Sequence, residues 1–239
     1  MKLEAPEALE ALSEEEIERH ADRVAARWRE IDAGKLVRVV DTINAQSKPI
    51  KARHTIRVNA VMNNSKMSTG AKIDVLWQSV DELGKVAAPY VACRKGCSHC
   101  CYLSVLISAP EAALIGKRIG VKPVTVEGIT EPGDIKPGYD NPCPFLKRGE
   151  CSIYEARPLV CRKHFNVDTD ALLCELVGDE ASTVPYLNFR DYENALAMIT
   201  IKRDNVMARD PNTGKPVPAT VETSPAVGDI REFFPKGKR

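Results

Sequence analysis

Neither sign of charge dominates this sequence: 34 lysines and arginines face 33 aspartates and glutamates. A domain that grips polyanions without sequence preference needs a clear basic excess, so a wholesale nucleic-acid binder is excluded and no strong nucleic-acid signal remains. Long apolar runs are missing too. The best candidate, Cys101 to Ala109, is about half of the ~20 residues that cross a bilayer, so no membrane association is expected. The start, Met1-Lys2-Leu3-Glu4-Ala5-Pro6, reaches Glu14-Glu15-Glu16 without the apolar stretch of about 7–15 residues that a secretory leader needs. Aromatics are only 5%, so a core has to rest on Leu, Ile, Val and Ala. There is no phosphate-binding Walker loop, no dinucleotide fingerprint and no nucleophile elbow. With 239 residues, 44% hydrophobic and 28% charged, the chain has the composition of one folded domain, or one domain with a small satellite.

Cysteine is the residue in excess, and its placement is more informative than its number. Cys93, Cys97, Cys100, Cys101, Cys143, Cys151, Cys161 and Cys174 are the full set of eight, and both flanks have none. With no leader in view, the expectation is a cytoplasmic protein, where thiols stay reduced and clustered cysteines bind metal more often than they pair. Four disulfides are the alternative, but a chain this long does not need such staples. Metal is the preferred reading.

Around this cluster the pattern is helical. Ser13 with Glu16 forms a capping box, and Ile17, Ala21, Val24, Trp28 and Ile31 make one apolar stripe over residues 13–33, with Gly34 as a stop. The stripe is expected to pack on its own domain rather than serve as a dimer seam. Residues 35–65 are ambiguous: Leu36, Val37, Val40 and Ile43 have helical spacing, while His54 to Val58 alternate as a strand does. Ile73, Leu76, Trp77, Val80 and Leu83 predict a helix over 69–87. Ser108, Pro110 and Gly120 bracket a short one. Residues 121–144 hold five prolines and three glycines, a long irregular connection that calls for an external organiser. Helical spacing returns over 168–178 and 189–203, where Tyr192, Leu196 and Ile199 mark the stripe. From Ala208 onward, five prolines and three glycines predict an extended or disordered tail. Its Phe233, Phe234 and final basic residues offer a docking peptide, although a solvated tail is the simpler reading.

The first cysteine group reads Cys93-Arg94-Lys95-Gly96-Cys97-Ser98-His99-Cys100-Cys101. Two residues between thiolates let a tight turn present both sulfurs to one ion. The second group runs from Cys143-Pro144-Phe145-Leu146 to Cys151-Ser152-Ile153-Tyr154-Glu155-Ala156-Arg157-Pro158-Leu159-Val160-Cys161-Arg162. Arg94, Lys95, Lys147, Arg148, Arg157, Arg162 and Lys163 crowd these thiols, and nearby positive charge lowers a thiol's pKa and offsets a thiolate cluster. His99 and His164 adjoin cysteines and are read as flanking polar residues, since eight thiols saturate two tetrahedral sites. His20 and His54 are read as surface residues. Arg157 and Arg162 are read as supports beside the thiolates rather than as binders of a substrate anion.

The order CxxxCxxCC, then CPFL, then CxIYExRPxxCR resembles the YkgJ-like cysteine-cluster family, described as a zinc- or iron-chelating domain. The resemblance covers about Cys93 to Phe165, and it implies that all eight cysteines, Cys174 last, are metal ligands. The cluster is also similar to that of flagellin lysine-N-methylases, for which an iron–sulfur cluster is the family expectation. That tilts the cofactor toward iron–sulfur over Zn2+. The CxxxCxxC spacing of radical S-adenosylmethionine enzymes is present too, but His99 stands where those enzymes carry an aromatic, and no strand–helix alternation follows to build a barrel.

The expectation is therefore a mainly α fold, a small α domain with irregular cysteine-rich loops organised by metal. Residues 1–67 would form an N-terminal helical region, 68–178 the metal-binding domain, 179–207 a C-terminal helix on it, and 208–239 the tail. Residues 121–165, too rich in turns to bury much apolar surface, would fold only around metal. The function expected is metal handling, redox or protein modification, with a protein partner on the N-terminal helix or the tail. The alternatives are an iron–sulfur-dependent methyl or one-carbon transfer to a protein side chain, and a structural zinc interaction module. No catalytic residue is assigned.

Overall fold

A computed structural model describes residues 13–131, 134–136, 138–177, 180–181 and 184–236. The leader reading at Met1–Pro6 and the basic end at 237–239 lie outside them. The first helix, α1 (Glu14–Glu30), begins as its sequence dictates: the Glu16 N–H donates to the Ser13 hydroxyl and the Ser13 N–H to the Glu16 carboxylate at 2.8 Å. It ends in a wide helical turn, Ile31–Lys35, where Gly34 takes φ +84°, a left-handed value that residues with a Cβ rarely adopt. No α1 residue is buried, and Ile17 is 41% exposed. The helix is held by charge instead: Arg27 donates to Asp168 at 2.6 Å and to Asp170 at 2.9 Å.

Residues 36–62 form one long helix, α2 (Leu36–Met62). The strand-like alternation at 54–58 therefore sits mid-helix. Ile43, Ser47 and His54 share its buried face, spaced four and seven residues apart, and Ile50, Val58 and Met62 pack against the core. His54 is thus 3% exposed, which corrects its reading as a surface residue. The central element is α3 (Thr69–Ala87), which buries Ile73, Leu76, Trp77, Val80 and Leu83 as their spacing predicts. A short strand, β1 (Leu106–Ser108), leads into α4 (Ala109–Ile119), capped by Ser108 and ended by Gly120 at φ +71°.

The cysteine-bearing segment beyond is built from small pieces. Strands β2 (Leu146–Lys147) and β3 (Glu150–Cys151) form a two-residue hairpin whose turn residues, Arg148 and Gly149, both have positive φ. Helix α5 (Leu159–Lys163) follows. The helix expected over 168–178 shrinks to a turn at Leu172–Cys174, then β4 (Leu176–Val177) paired with β5 (Glu180–Ala181). The aspartates compete with the helix there: the Thr169 N–H donates to Asp168 Oδ1 at 2.7 Å and the Leu172 N–H to Asp170 Oδ1 at 3.0 Å. Helix α6 (Arg190–Thr200) packs on α3 and α2, as its stripe predicts.

The C-terminal region departs most from expectation. Strands β6 (Lys202–Arg209) and β7 (Pro216–Thr223) make an exposed ribbon. Strand β8 (Val227–Asp229) pairs antiparallel with β1, and α7 (Ile230–Phe233) follows. Ile230, Phe233 and Phe234 are each at most 2% exposed inside the main core. Neither a disordered tail nor a free docking peptide describes residues 227–234. Proline and glycine set the composition of this stretch, but its few apolar residues complete a core whose other half lies more than a hundred positions earlier.

The irregular connection at 121–144 is fastened by that same segment. The Val124 N–H donates to the Phe233 carbonyl and the Thr130 N–H to the Val227 carbonyl, each at 2.8 Å. Arg231 Nε donates to the Asn141 carbonyl at 3.0 Å. The fold is mainly α among the described residues, where no helix is long and apolar enough to cross a membrane.

Candidate metal centre

All eight cysteines are free thiols, which sets aside the disulfide alternative in this structure. Seven of them, Cys93, Cys97, Cys100, Cys101, Cys143, Cys151 and Cys161, line one cavity of about 100 Å3. The chain reaches this point from four directions. Cys93 and Cys97 stand on the loop after α3, where the Cys97 N–H closes a turn on the Arg94 carbonyl. Cys100 and Cys101 lie on a helical turn, His99–Tyr102. Cys143 is brought in by its N–H bond to the Cys101 carbonyl at 2.7 Å, Cys151 by the β2–β3 hairpin, and Cys161 by α5.

The eighth cysteine is tied in by a residue the sequence did not single out. Asn166 is fully buried; its backbone N–H donates to Cys93 Sγ at 3.2 Å and its side-chain amide to Cys174 Sγ at 3.3 Å. One asparagine thus bridges the first and last cysteines of the chain. Its Oδ1 is buried without a partner among the described residues. Cys174 feels the charges of Cys93, Cys97 and Cys100, whereas Cys101 and Cys161 feel those of Cys100, Cys143 and Cys151.

Burial, not basic charge, governs the protonation of most of these thiols. It pushes Cys93 and Cys143 up to about 11 and Cys174 to about 12, and raises Cys97, Cys151 and Cys161 as well. This reverses the expectation that the basic fringe sets their pKa. Cys100 is the exception. The Cys101 thiol donates to it and Arg157 faces it, and together they hold Cys100 down to about 7 while Cys101 keeps its proton.

The basic fringe divides by role. Arg157 stacks on the Tyr154 ring, 3.6 Å from its centroid, and its charge opposes the burial of Cys93, Cys151 and Cys161. Arg162 is 4% exposed and turns toward α3, bonding Asp81 and the carbonyls of Glu155 and Arg157 and covering Trp77. It positions Cys161 by tying α5 to the central helix. Lys147 and Arg148 are exposed on the hairpin turn, and Lys163 pairs with Glu193. His164 lines the cavity with its pKa lowered by burial; His99 is likewise lowered. His20, read as a surface residue, is largely covered, with Nδ1 3.5 Å from Glu175. The sequence also gave no sign of Arg231, whose Nη2 donates to the Cys101 and Leu103 carbonyls and whose charge favours the Cys143 thiolate. Nothing local to Asn166 or Arg231 marks either; only the fold brings them here.

The chemistry of the donor set fits a thiophilic metal: free sulfurs around one cavity, backbone N–H bonds to Cys93, Cys97, Cys143 and Cys151, and the charges of Arg157 and Arg231 acting on several of them. Among the described residues, no group of three or more His, Cys, Asp or Glu side chains stands at the spacing that grips an ion.

These features define a cysteine-cluster domain. Residues 92–179 match the family model CxxCxxCC, described as "Putative zinc- or iron-chelating domain", so the resemblance seen in the motifs holds for that segment. The match is to the cysteine cluster and does not reach the YkgJ name in particular. Nothing matches among the curated proteins or the solved structures.

Proposed function

We propose that the eight cysteines hold a metal centre in two adjoining four-thiol sets, Cys93, Cys97, Cys100 and Cys174 in one, Cys101, Cys143, Cys151 and Cys161 in the other. The observation that supports this is the Asn166 bridge between Cys93 and Cys174, on which reading the last cysteine goes with the first group and four thiols are left for the second. Iron–sulfur is the preferred occupant. N–H···S bonds and apolar cover are the features by which a protein tunes a cluster's potential, and the cavity has both: Asn166 supplies donors, and Val105, Ile153, Phe165 and Ile230 line the walls. A bound iron–sulfur cluster supplies one-electron transfer, whereas zinc supplies a redox-inert staple. The chain's own part is to exclude water, to offset thiolate charge with Arg157 and Arg231, and to hold the Cys100–Cys101 pair between both sets. The role that follows is redox or metal handling.

The test is metal stoichiometry on paired variants. Cys174→Ser and Cys151→Ser are each expected to lose part of the bound iron and sulfide, or zinc, and the double variant to lose all. Equal and complete loss from each single variant contradicts the two-set division.

A further inference from the structure

A second cavity shares no residue with the thiol site. It is a cleft of about 840 Å3 between α2, the chain at 186–189 and α6. That is the size of a small-molecule site rather than of a packing defect. Ile43, Val58, Leu83 and Phe189 give it apolar walls. Its floor is a hydrogen-bonded chain drawn from three helices: the Tyr192 hydroxyl meets His54 Nδ1 at 2.8 Å, and His54 Nε2 meets Glu82 Oε2 at 3.0 Å. The His54 bond holds the Glu82 carboxyl below its ordinary range, and burial pushes the Tyr192 phenol up to about 12, so the carboxylate accepts and the phenol keeps its proton. Imidazole Nε2 faces the Glu82 carboxylate and Nδ1 the Tyr192 hydroxyl.

The charge at the cleft has one sign in excess. From Thr42 to Lys72 the sequence contains no acidic residue and carries Lys48, Lys51, Arg53, Arg57, Lys66 and Lys72, in a chain whose net charge is only +1. Of these, Lys51 lines the cleft, and its ammonium rests on the Asn44 amide oxygen at 3.3 Å rather than on a carboxylate. Arg190 also lines the cleft, with Asp191 next to it in sequence. Arg57 is taken up by Glu82 at 3.2 Å.

We propose that this cleft binds a small organic monoanion: an apolar or aromatic body against Ile43, Val58, Leu83 and Phe189, with one carboxylate or sulfonate group taken by Lys51 and Arg190 adding to the basic lining. Asp191 in the same lining disfavours a polyanion. This site is independent of the metal centre and stands whether or not the thiols are loaded.

The probe is 1-anilinonaphthalene-8-sulfonate, titrated by fluorescence against the full chain at about 0.15 M salt, with neutral N-phenyl-1-naphthylamine as its partner. Saturable one-site binding of the sulfonate is expected, with the neutral probe about tenfold weaker. Lys51→Glu should weaken the sulfonate by about tenfold and leave the neutral probe unchanged, as a charge-assisted contact requires. Ala195→Phe, which fills the cleft, should weaken both, and Lys117→Glu on α4 neither. If Ala195→Phe fails to fold, the half-exposed Lys51→Glu still decides. Non-saturable binding, equal affinity for both probes, or sulfonate binding untouched by Lys51→Glu overturns the proposal. So does a basic stretch that takes heparin in preference to the sulfonate.

Discussion

Replacing one buried carboxylate should loosen the connection at 121–144 from a distance of more than eighty residues in sequence. Asp229 is 0% exposed and accepts from the Val105 N–H at 2.7 Å, the Ser104 hydroxyl at 3.1 Å, the Arg231 N–H at 2.8 Å and Arg231 Nη1 at 2.9 Å. It also caps α7, with Glu232 returning a bond to its N–H at 2.6 Å. Asp229→Ala leaves the Val105 N–H and Arg231 Nη1 without their carboxylate acceptor, while the rest of the guanidinium keeps its carbonyl partners. Deleting one partner of a buried pair costs about 3–5 kcal/mol, and a lost cap about 1 kcal/mol more. Against a total stability of about 5–15 kcal/mol, that is enough to release residues 227–234 and the loop they fasten. Asp229→Asn keeps an acceptor for Val105 but loses the charge, and should cost about 1.5–3 kcal/mol. Urea unfolding by tryptophan fluorescence gives the energies, and cleavage after Glu127 by a glutamate-specific protease reports the loop. If Asp229→Ala stays within about 1 kcal/mol of the parent with Glu127 no more readily cut than in the parent, the C-terminal segment does not organise this region.

Three further outcomes follow from single contacts. Glu111 is buried and its pKa raised by that burial, while its Oε1 accepts from Trp77 Nε1 and the Leu159 N–H. A carboxyl raised in the folded state favours folding at pH below its unfolded value of about 4.3, and that contribution fades as pH rises through the folded value. Glu111→Gln should therefore gain stability over the parent between pH 4 and neutrality, measured by thermal unfolding at each pH; a constant difference would contradict the sign. Asn166→Ala removes the amide bond that favours the Cys174 thiolate and should slow its alkylation by a maleimide in metal-free protein while leaving Cys151 unchanged; equal rates at Cys174 would count against the bridge. A Cβ at Gly84 would stand 2.9 Å from Phe165 Cζ, at a ring that lines the thiol cavity, so Gly84→Ala should cost about 1–3 kcal/mol by forcing that ring aside. An unchanged Tm would show that the ring yields freely.

Where local chemistry decides the structure, the sequence already contained it. The Ser13–Glu16 cap, the Gly34 and Gly120 stops and the α3 stripe all depend on neighbours within one or two turns. The gathering of the thiols was legible for the same reason, since short cysteine spacings and a tight hairpin leave the sulfurs few places to go. Non-local pairing was not legible. Val227–Asp229 has no reason to be a strand until β1 lies beside it, and the prolines around it point toward disorder. The reversal over the thiol pKa values has a similar origin, because counting nearby arginines ignores that Arg162 turns toward Asp81 and that burial outweighs the rest. His54 was misjudged because its companions on the buried face of α2 are seven and eleven positions away, beyond the stretch that suggested a strand.

The account turns on whether the gathered thiols hold metal. The direct measurement is iron, sulfide and zinc content, with the absorption spectrum, of the full chain purified without oxygen, beside a Cys97→Ser variant. Stoichiometric metal in the parent, with charge-transfer absorption if the occupant is iron–sulfur, and a loss of metal in the variant are the predicted results. A parent chain that purifies free of metal, takes up neither iron nor zinc on reconstitution and titrates as eight reactive thiols would contradict it.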